Sequence, residues 1–141
     1  DNPEIPKLNT KVNLAYESRV RGIATSGWRG RSLSLGIADA VTVLAKSATD
    51  ADVAATLIAN EVNVDFPGIE KRAASEVKDE SDLGMIPVTV HVPDLPEDKI
   101  SFALEQGAKT ARKFIKAEKI TAAYLSLQKQ RLIIDNKSLL L

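Results

Sequence analysis

The chain has 141 residues, with 19 Lys plus Arg set against 19 Asp plus Glu, a single His and no Cys. These counts exclude a disulfide framework, a thiolate metal site, a cysteine nucleophile and a multi-histidine metal centre. Apolar residues at 44% place it among ordinary globular chains and exclude a disordered polar tail, while aromatics at 4% leave the core to Leu, Ile, Val and Ala.

Residues 1–9 carry Pro3 and Pro6 and read as extended. Asn9 or Thr10 is positioned to cap a helix over 11–24, whose apolar line is Val12, Ala15, Tyr16, Val20, Ile23 and Ala24. The segment from Thr25 to Ser32 interrupts it with Gly27 and Gly30. Leu33, Ile37, Ala40, Val41, Leu44 and Ala48 recur at helical spacing and predict a second helix over 33–47. A third is expected over 51–63, capped by Thr49 or Asp50, with Val53, Leu57, Ile58 and Val62 inward. Asp65-Phe66-Pro67-Gly68 is a turn signal, and a short charged helix is expected over 69–79.

Ile86 to Val92 is the clearest strand, being β-branched, alternating and bounded by Pro93. Val88, Val90 and Val92 are expected to face inward, with Thr89 and His91 outward. Asp94 to Asp98 opens a helix running to about 118, with Ile100, Ala103, Leu104, Ala108, Ala111, Phe114 and Ile115 on its buried face. Lys119 to Leu127 fits a helical extension or a strand. Arg131–Ile134 and Ser138–Leu141, joined by Asp135-Asn136-Lys137, read as a terminal hairpin. The expected fold is therefore α+β and mainly helical. A bundle of about four helices over 1–82 is followed by a smaller lobe over 83–141 of strand, helix and short antiparallel strands.

The zero net charge conceals a segregation: +3 over 1–31, −3 over 32–62, −6 over 63–98 and +6 over 99–141. Basic ends flanking an acidic middle can form an electrostatic footprint for a polyanion or an attraction between the two halves. Arg19, Arg21, Arg29 and Arg31 cluster with Trp28 around flexible glycines. Guanidinium forks match phosphate oxygens, and an indole offers a stacking plane for a base. A second cluster, Lys109, Arg112, Lys113 and Lys116, recurs at i, i+3, i+4 and i+7 and predicts one basic stripe along a helix. Alternatively, Trp28 anchors the core and the lysines form a solvated face. No Gly-rich phosphate loop, catalytic residue, metal site or cofactor motif is legible.

The stretch Ser26 to Ala48, SGWRGRSLSLGIADAVTVLAKSA, together with chain length and the expected helical bundle, resembles the small subunit of archaeal type I-A CRISPR surveillance complexes (Cascade). That resemblance implies a cytoplasmic, non-enzymatic subunit of an antiviral ribonucleoprotein. Its partners would be the other subunits and the backbone of crRNA or target DNA. A second pattern, Val88 to Pro93 followed by a helix, Gly107 and a further helix, resembles the ribbon-helix-helix DNA-binding fold and implies a transcriptional regulator. A third reading is a structural subunit of a filament or virion, self-associating through Leu139-Leu140-Leu141 and the oppositely charged halves.

Overall fold

The computed structural model describes residues 20–30, 33–78 and 82–136. Strand β1 (Gly22–Ser26) leads into β2 (Ala40–Ala45), then helix α1 (Ala48–Glu61), strand β3 (Glu70–Ala73) and a single turn of helix, α2 (Ala74–Val77). Strand β4 (Pro87–His91), helix α3 (Glu97–Lys116) and strands β5 (Ala122–Leu127) and β6 (Gln130–Asp135) complete the order. One antiparallel sheet has the order β1-β2-β5-β6, and β3 pairs with β4 in a separate two-stranded sheet.

Three expectations hold. Helix α1 begins earlier than expected because Ser47, with extended backbone, accepts the Asp50 N–H at 3.1 Å and caps it. Its inward face is Ala51, Ala54, Ala55, Ile58 and Ala59, and the alanines let its backbone lie close to β1 and β2. Of the residues expected inward Ile58 and Val62 are buried, but Val53 and Leu57 are exposed because the buried face is the alanine line. Strand β4 lies within the expected 86–92 stretch. Helix α3 buries Ile100, Ala103, Leu104, Gly107, Ala108, Ala111 and Ile115 against β5, β6 and α1, with Glu97 and Asp98 at its N-terminus and Lys113 and Lys116 at its C-terminus.

The mainly helical architecture is overturned: the described residues form six strands and three helices, not a bundle with four N-terminal helices. Residues 22–24, the end of the first expected helix, lie in β1 (Gly22–Ser26), and the part of that helix through residue 19 lies outside the described residues. The second expected helix, 33–47, is instead an irregular segment followed by β2. Its run Val41-Thr42-Val43 is β-branched, and it is buried between β1 and β5 with Val41, Val43 and Ala45 in the core and Leu44 on the opposite face. The fourth expected helix is β3 with the single turn α2; Glu70, Lys71 and Arg72 are exposed, so no apolar alternation marked the strand.

The tail hairpin is shifted: β5 and β6 join through Gln128 and Lys129, and Gln128 takes a left-handed φ of 51°. The expected strand 138–141, and with it the Leu139-Leu140-Leu141 tail, lies outside the described residues. The ribbon-helix-helix pattern requires a break at Gly107 and a strand left for a second copy. Helix α3 runs unbroken through Gly107, and β4 is paired with β3 of its own chain. The main sheet draws β1 and β2 from before residue 82 and β5 and β6 from after it.

Candidate ligand cleft

Helices α1 and α3 cover one face of the main sheet, and the β3–β4 hairpin stands at the end of the sheet where β1 finishes. The segment from Ser34 to Ile37 joins the two. Ser34 is 1% exposed, and its hydroxyl donates to Asn60 Oδ1 at 3.3 Å while accepting the Gly36 N–H at 3.2 Å. Asn60 Oδ1 also accepts the Leu35 N–H at 3.0 Å. From β4, the Thr89 hydroxyl donates to the Gly36 carbonyl at 2.7 Å, and the Thr89 N–H donates to the Ser34 carbonyl at 2.9 Å. The Lys71 ammonium donates to the Leu35 carbonyl at 2.5 Å. Partial burial holds the Lys71 pKa below its ordinary value, opposed by the charge of Asp65. Glycine is required at position 36, where a Cβ would stand 2.0 Å from the Ala59 carbonyl oxygen.

Between this strut and the turn after β1 lies an open cleft of about 560 Å³ lined by Trp28, Gly30, Leu33, Val77, Lys78, Thr89 and Val90. The pairing of β3 with β4 contributes directly to its shape. Glu70 opposes His91 and Lys71 opposes Thr89, so Val90 is an extra residue without an opposite number, a β-bulge. The bulge breaks the expected alternation: Thr89 is buried at 4% exposure, Val90 is half-buried against the cleft and His91 is exposed.

Trp28 packs partly against the core, and its backbone N–H donates to the Ala38 carbonyl at 3.1 Å. Its indole Nε1 is buried without a hydrogen-bond partner. Such an orphan donor costs about 1–3 kcal/mol. The Arg29 guanidinium lies 5.2 Å from the ring centroid, and Arg29 Nε stands 3.6 Å from Asp39 Oδ1.

The remaining candidate residues do not converge on this cleft. Arg19 and Arg31 lie outside the described residues. Arg21 is exposed at the start of β1, with Nη1 donating to the Val20 carbonyl at 2.9 Å. Arg29 stands past the other end of that strand, roughly 17 Å of extended chain away. Arg21 instead shares its end of the sheet with the C-terminal end of α3, since the Arg21 N–H donates to Ala45 and the Thr121 N–H to Leu44.

On α3, Lys109, Lys113 and Lys116 are exposed, as the helical spacing implied. Arg112 is engaged by Glu105 two turns earlier through Nη1–Oε2 and Nη2–Oε1 contacts. That hydrogen bond, with the Arg112 and Lys109 charges, holds the Glu105 carboxyl below its ordinary pKa against the opposing effect of burial. It also raises that of Arg112. Among the described residues no cluster of His, Asp and Glu is arranged to hold a metal ion, and no helix is long and apolar enough to cross a membrane.

Sequence reasoning singled out Trp28 and missed Leu33, Val77, Lys78, Thr89 and Val90 as its neighbours. The β-branched strand signal placed Thr89 and Val90 on β4, but no local pattern marks the bulge.

The fold is thus an α+β domain whose antiparallel sheet carries two helices on one face and a bulged hairpin at one end, with a cleft between hairpin and sheet. The chain belongs to the family described as AbpE bacteria, whose model matches residues 3–134. It is also 48% identical over 59 residues to a UPF0280 protein of Methanobrevibacter smithii, covering 40% of this chain and 25% of that protein. A UPF0280 protein of Methanosarcina barkeri is 40% identical over 62 residues, covering 42% of this chain and 24% of that protein. The matched stretch thus spans about a quarter of these relatives' length. No solved structure matches. The family match corrects the Cascade small-subunit resemblance, which rested on the stretch 26–48 and on a helical bundle; that stretch holds β2 in place of the expected helix.

Proposed function

We propose that this chain is a non-catalytic small-molecule-binding module, and that its ligand occupies the cleft beside Trp28. The observation that carries this reading is a cleft that the β4 bulge helps to shape and that is lined by Trp28, a residue whose indole N–H is buried and unpartnered. Bulges concentrate where a strand re-aims a side chain at a site. A volume of about 560 Å³ falls within the roughly 300–1,000 Å³ of small-molecule sites. Leu33, Val77 and Val90 suit a flat apolar body, Lys78 suits an anionic group, and the indole N–H calls for an acceptor atom. That N–H is buried, so a ligand reaches it only if the packing around Trp28 moves.

Trp28 is the sole tryptophan, so its fluorescence reports the cleft alone. Titration with a nucleoside monophosphate and with an aromatic carboxylate of similar size is expected to give a saturable change for at least one probe. Lys78→Ala should weaken that binding. Absence of any saturable change, or binding measured calorimetrically that Trp28→Ala and Lys78→Ala leave unaltered, overturns the reading.

A second reading rests on α3. Lys109, Lys113 and Lys116, exposed at i, i+4 and i+7, match the spacing of a stripe that contacts nucleic-acid phosphates without reading bases.

A further inference from the structure

Helices α1 and α3 pack on each other as well as on the sheet, so their outer sides form one continuous surface. Helix α1 leaves β2 through Lys46 and Ser47 and turns back along it, and α3 reaches β5 through the short link 117–121. Strands β2 and β5 are antiparallel, so the two helices run side by side in opposite directions. Gly107 sets their offset: a Cβ there would stand 2.3 Å from Val62 Cγ2, at the end of α1. The half of α3 from Gly107 to Lys116 therefore lies alongside α1 and not beyond it.

The two sides of this surface carry opposite charge. Helix α1 holds Asp50, Asp52 and Glu61, all exposed, and no Lys or Arg. From Gly107 onward α3 holds Lys109, Arg112, Lys113 and Lys116 and no Asp or Glu. Of these charges, among the described residues, Arg112 alone is engaged in an ion pair, with Glu105 of its own helix. Val53 and Leu57 lie one turn apart on the side of α1 opposite its buried alanines and are 52% and 45% exposed. Two large apolar side chains thus stand in water within the acidic stripe.

We propose that this helical face is a self-association surface: a second copy of the chain stacks on it about a two-fold axis that runs between α1 and α3, along both. That operator lays α1 of each copy on α3 of the other. Asp50, Asp52 and Glu61 then face Lys109, Lys113 and Lys116 twice, once on each side of the axis. The lysine stems cross Val53 and Leu57 and cover them with methylene groups, while their ammonium groups reach the carboxylates at the rim. Stacking like helix on like, about an axis across the pair, would set acid on acid and base on base, so charge selects the arrangement. Each contact is one helix lying along another, and the two together bring the buried area to the order of 1,000 Å² that a specific interface requires. The same lysines carry the nucleic-acid reading, and a dimer built this way covers them.

The test is sedimentation velocity on the full chain at up to about 100 μM, where an interface with a dissociation constant of about 10 μM is mostly formed. The wild type is expected to be a dimer at low salt, with a dissociation constant that rises at least tenfold between about 50 and 500 mM salt as the charges are screened. Leu57→Lys sets an ammonium group against the lysine stripe and should give a monomer. Lys109→Glu, Lys113→Glu and Lys116→Glu together make both helices acidic, and Asp52→Lys with Glu61→Lys makes both basic. Each of these two variants alone should be a monomer with an unchanged far-UV spectrum. An equimolar mixture of them should dimerise, because each offers the other opposite charge on both sides of the axis. A monomeric wild type, with or without an oligonucleotide bound to the lysines, overturns the proposal. So does a dimer indifferent to the charge-reversing variants, or a pair of folded variants that stay monomeric when mixed.

Discussion

The Asp39 carboxylate accepts the backbone N–H of Gln128 at 2.7 Å, joining the lead-in to β2 to the β5–β6 turn across 89 positions of sequence. Gln128 also spends its side chain on the structure: its Oε1 accepts the Leu95 N–H at 2.9 Å, and its Nε2 donates to the Pro93 carbonyl at 2.8 Å. A residue with a left-handed backbone is thus held at three points, and Asp39 supplies the only charged one. Asp39→Ala is expected to lower the stability to denaturant by about 1–3 kcal/mol, through loss of a charge-assisted bond and of the Arg29 pairing. Asp39→Asn keeps an acceptor and should cost less. Equal losses for the two would remove the role given to the Gln128 bond.

Gly107 sits in the middle of α3 where alanine would ordinarily favour the helix by about 0.5–1 kcal/mol. Here a Cβ would stand 2.3 Å from Val62 Cγ2 and 3.0 Å from Leu125 Cδ2. Gly107→Ala should therefore destabilise by roughly 1–3 kcal/mol through overpacking. Adding Val62→Ala should recover part of that loss, because it removes the clashing methyl. The coupling is read from urea unfolding of both single variants and the double.

Glu105 and Arg112 set a pH dependence of known sign. The Glu105 carboxyl is held below its ordinary value of 4.5, first by the Arg112 hydrogen bond. Its contribution is therefore present above pH 4.5 and is lost as the pH falls through the lower, folded-state value. Both side chains are well exposed, so solvent screening keeps the contribution to about 0.5 kcal/mol or less. Glu105→Gln should lower the thermal midpoint slightly at pH 7, and the difference from the wild type should vanish as acid protonates Glu105. An unchanged midpoint at pH 7 in low salt would dismiss the pair as a stabilising contact.

The lysine stripe separates from the fold. Changing Lys109, Lys113 and Lys116 together to Ala should leave unfolding within about ±0.5 kcal/mol per site. If α3 meets nucleic-acid phosphates, each lost contact should flatten the slope of log affinity against log salt by about one unit. Ile115→Asp, at a site 3% exposed in the core, should unfold the chain by burying an unpaired charge. Unchanged salt dependence in the triple variant would mark the stripe as a solvated face.

Elements with a strong, one-sided pattern were legible from residues alone. Helix α3 repeats Ile100, Ala103, Leu104, Ala108, Ala111 and Ile115 on one face with charges opposite, and nothing but a helix satisfies that period. Strand β4 is bounded by prolines and rich in valine. Residues 33–47 were read as a helix because Leu33, Ile37, Ala40, Val41 and Leu44 fit one by spacing, whereas β2 is decided by neighbours that lie 15 to 23 and about 80 positions away. Thr42 shows this, opposing Thr25 on one side and Tyr124 on the other. Strand β3 was hidden for the reverse reason: in a two-stranded sheet open to solvent, Glu70, Lys71 and Arg72 need no apolar partner. Trp28 stood out as the sole tryptophan, but its cleft is assembled from residues 77–78 and 89–90, which no local motif links to it.

The pairing of β2 with β5 also governs how this chain must acquire its structure. Residues 46 to 121 separate the two central strands of the main sheet, so closing that pair costs the entropy of a long loop before any contact returns it. On the ribosome the β1–β2 hairpin emerges with one long side unpaired and waits until β5 follows. Helix α1 packs on β1 and β2 and is available to shelter them during that interval, while α3 packs on β5 and β6 and arrives with them. Folding should therefore be slow for the chain's size and all-or-none across the central seam. A nascent chain halted before residue 122 should be far more sensitive to protease than one released whole.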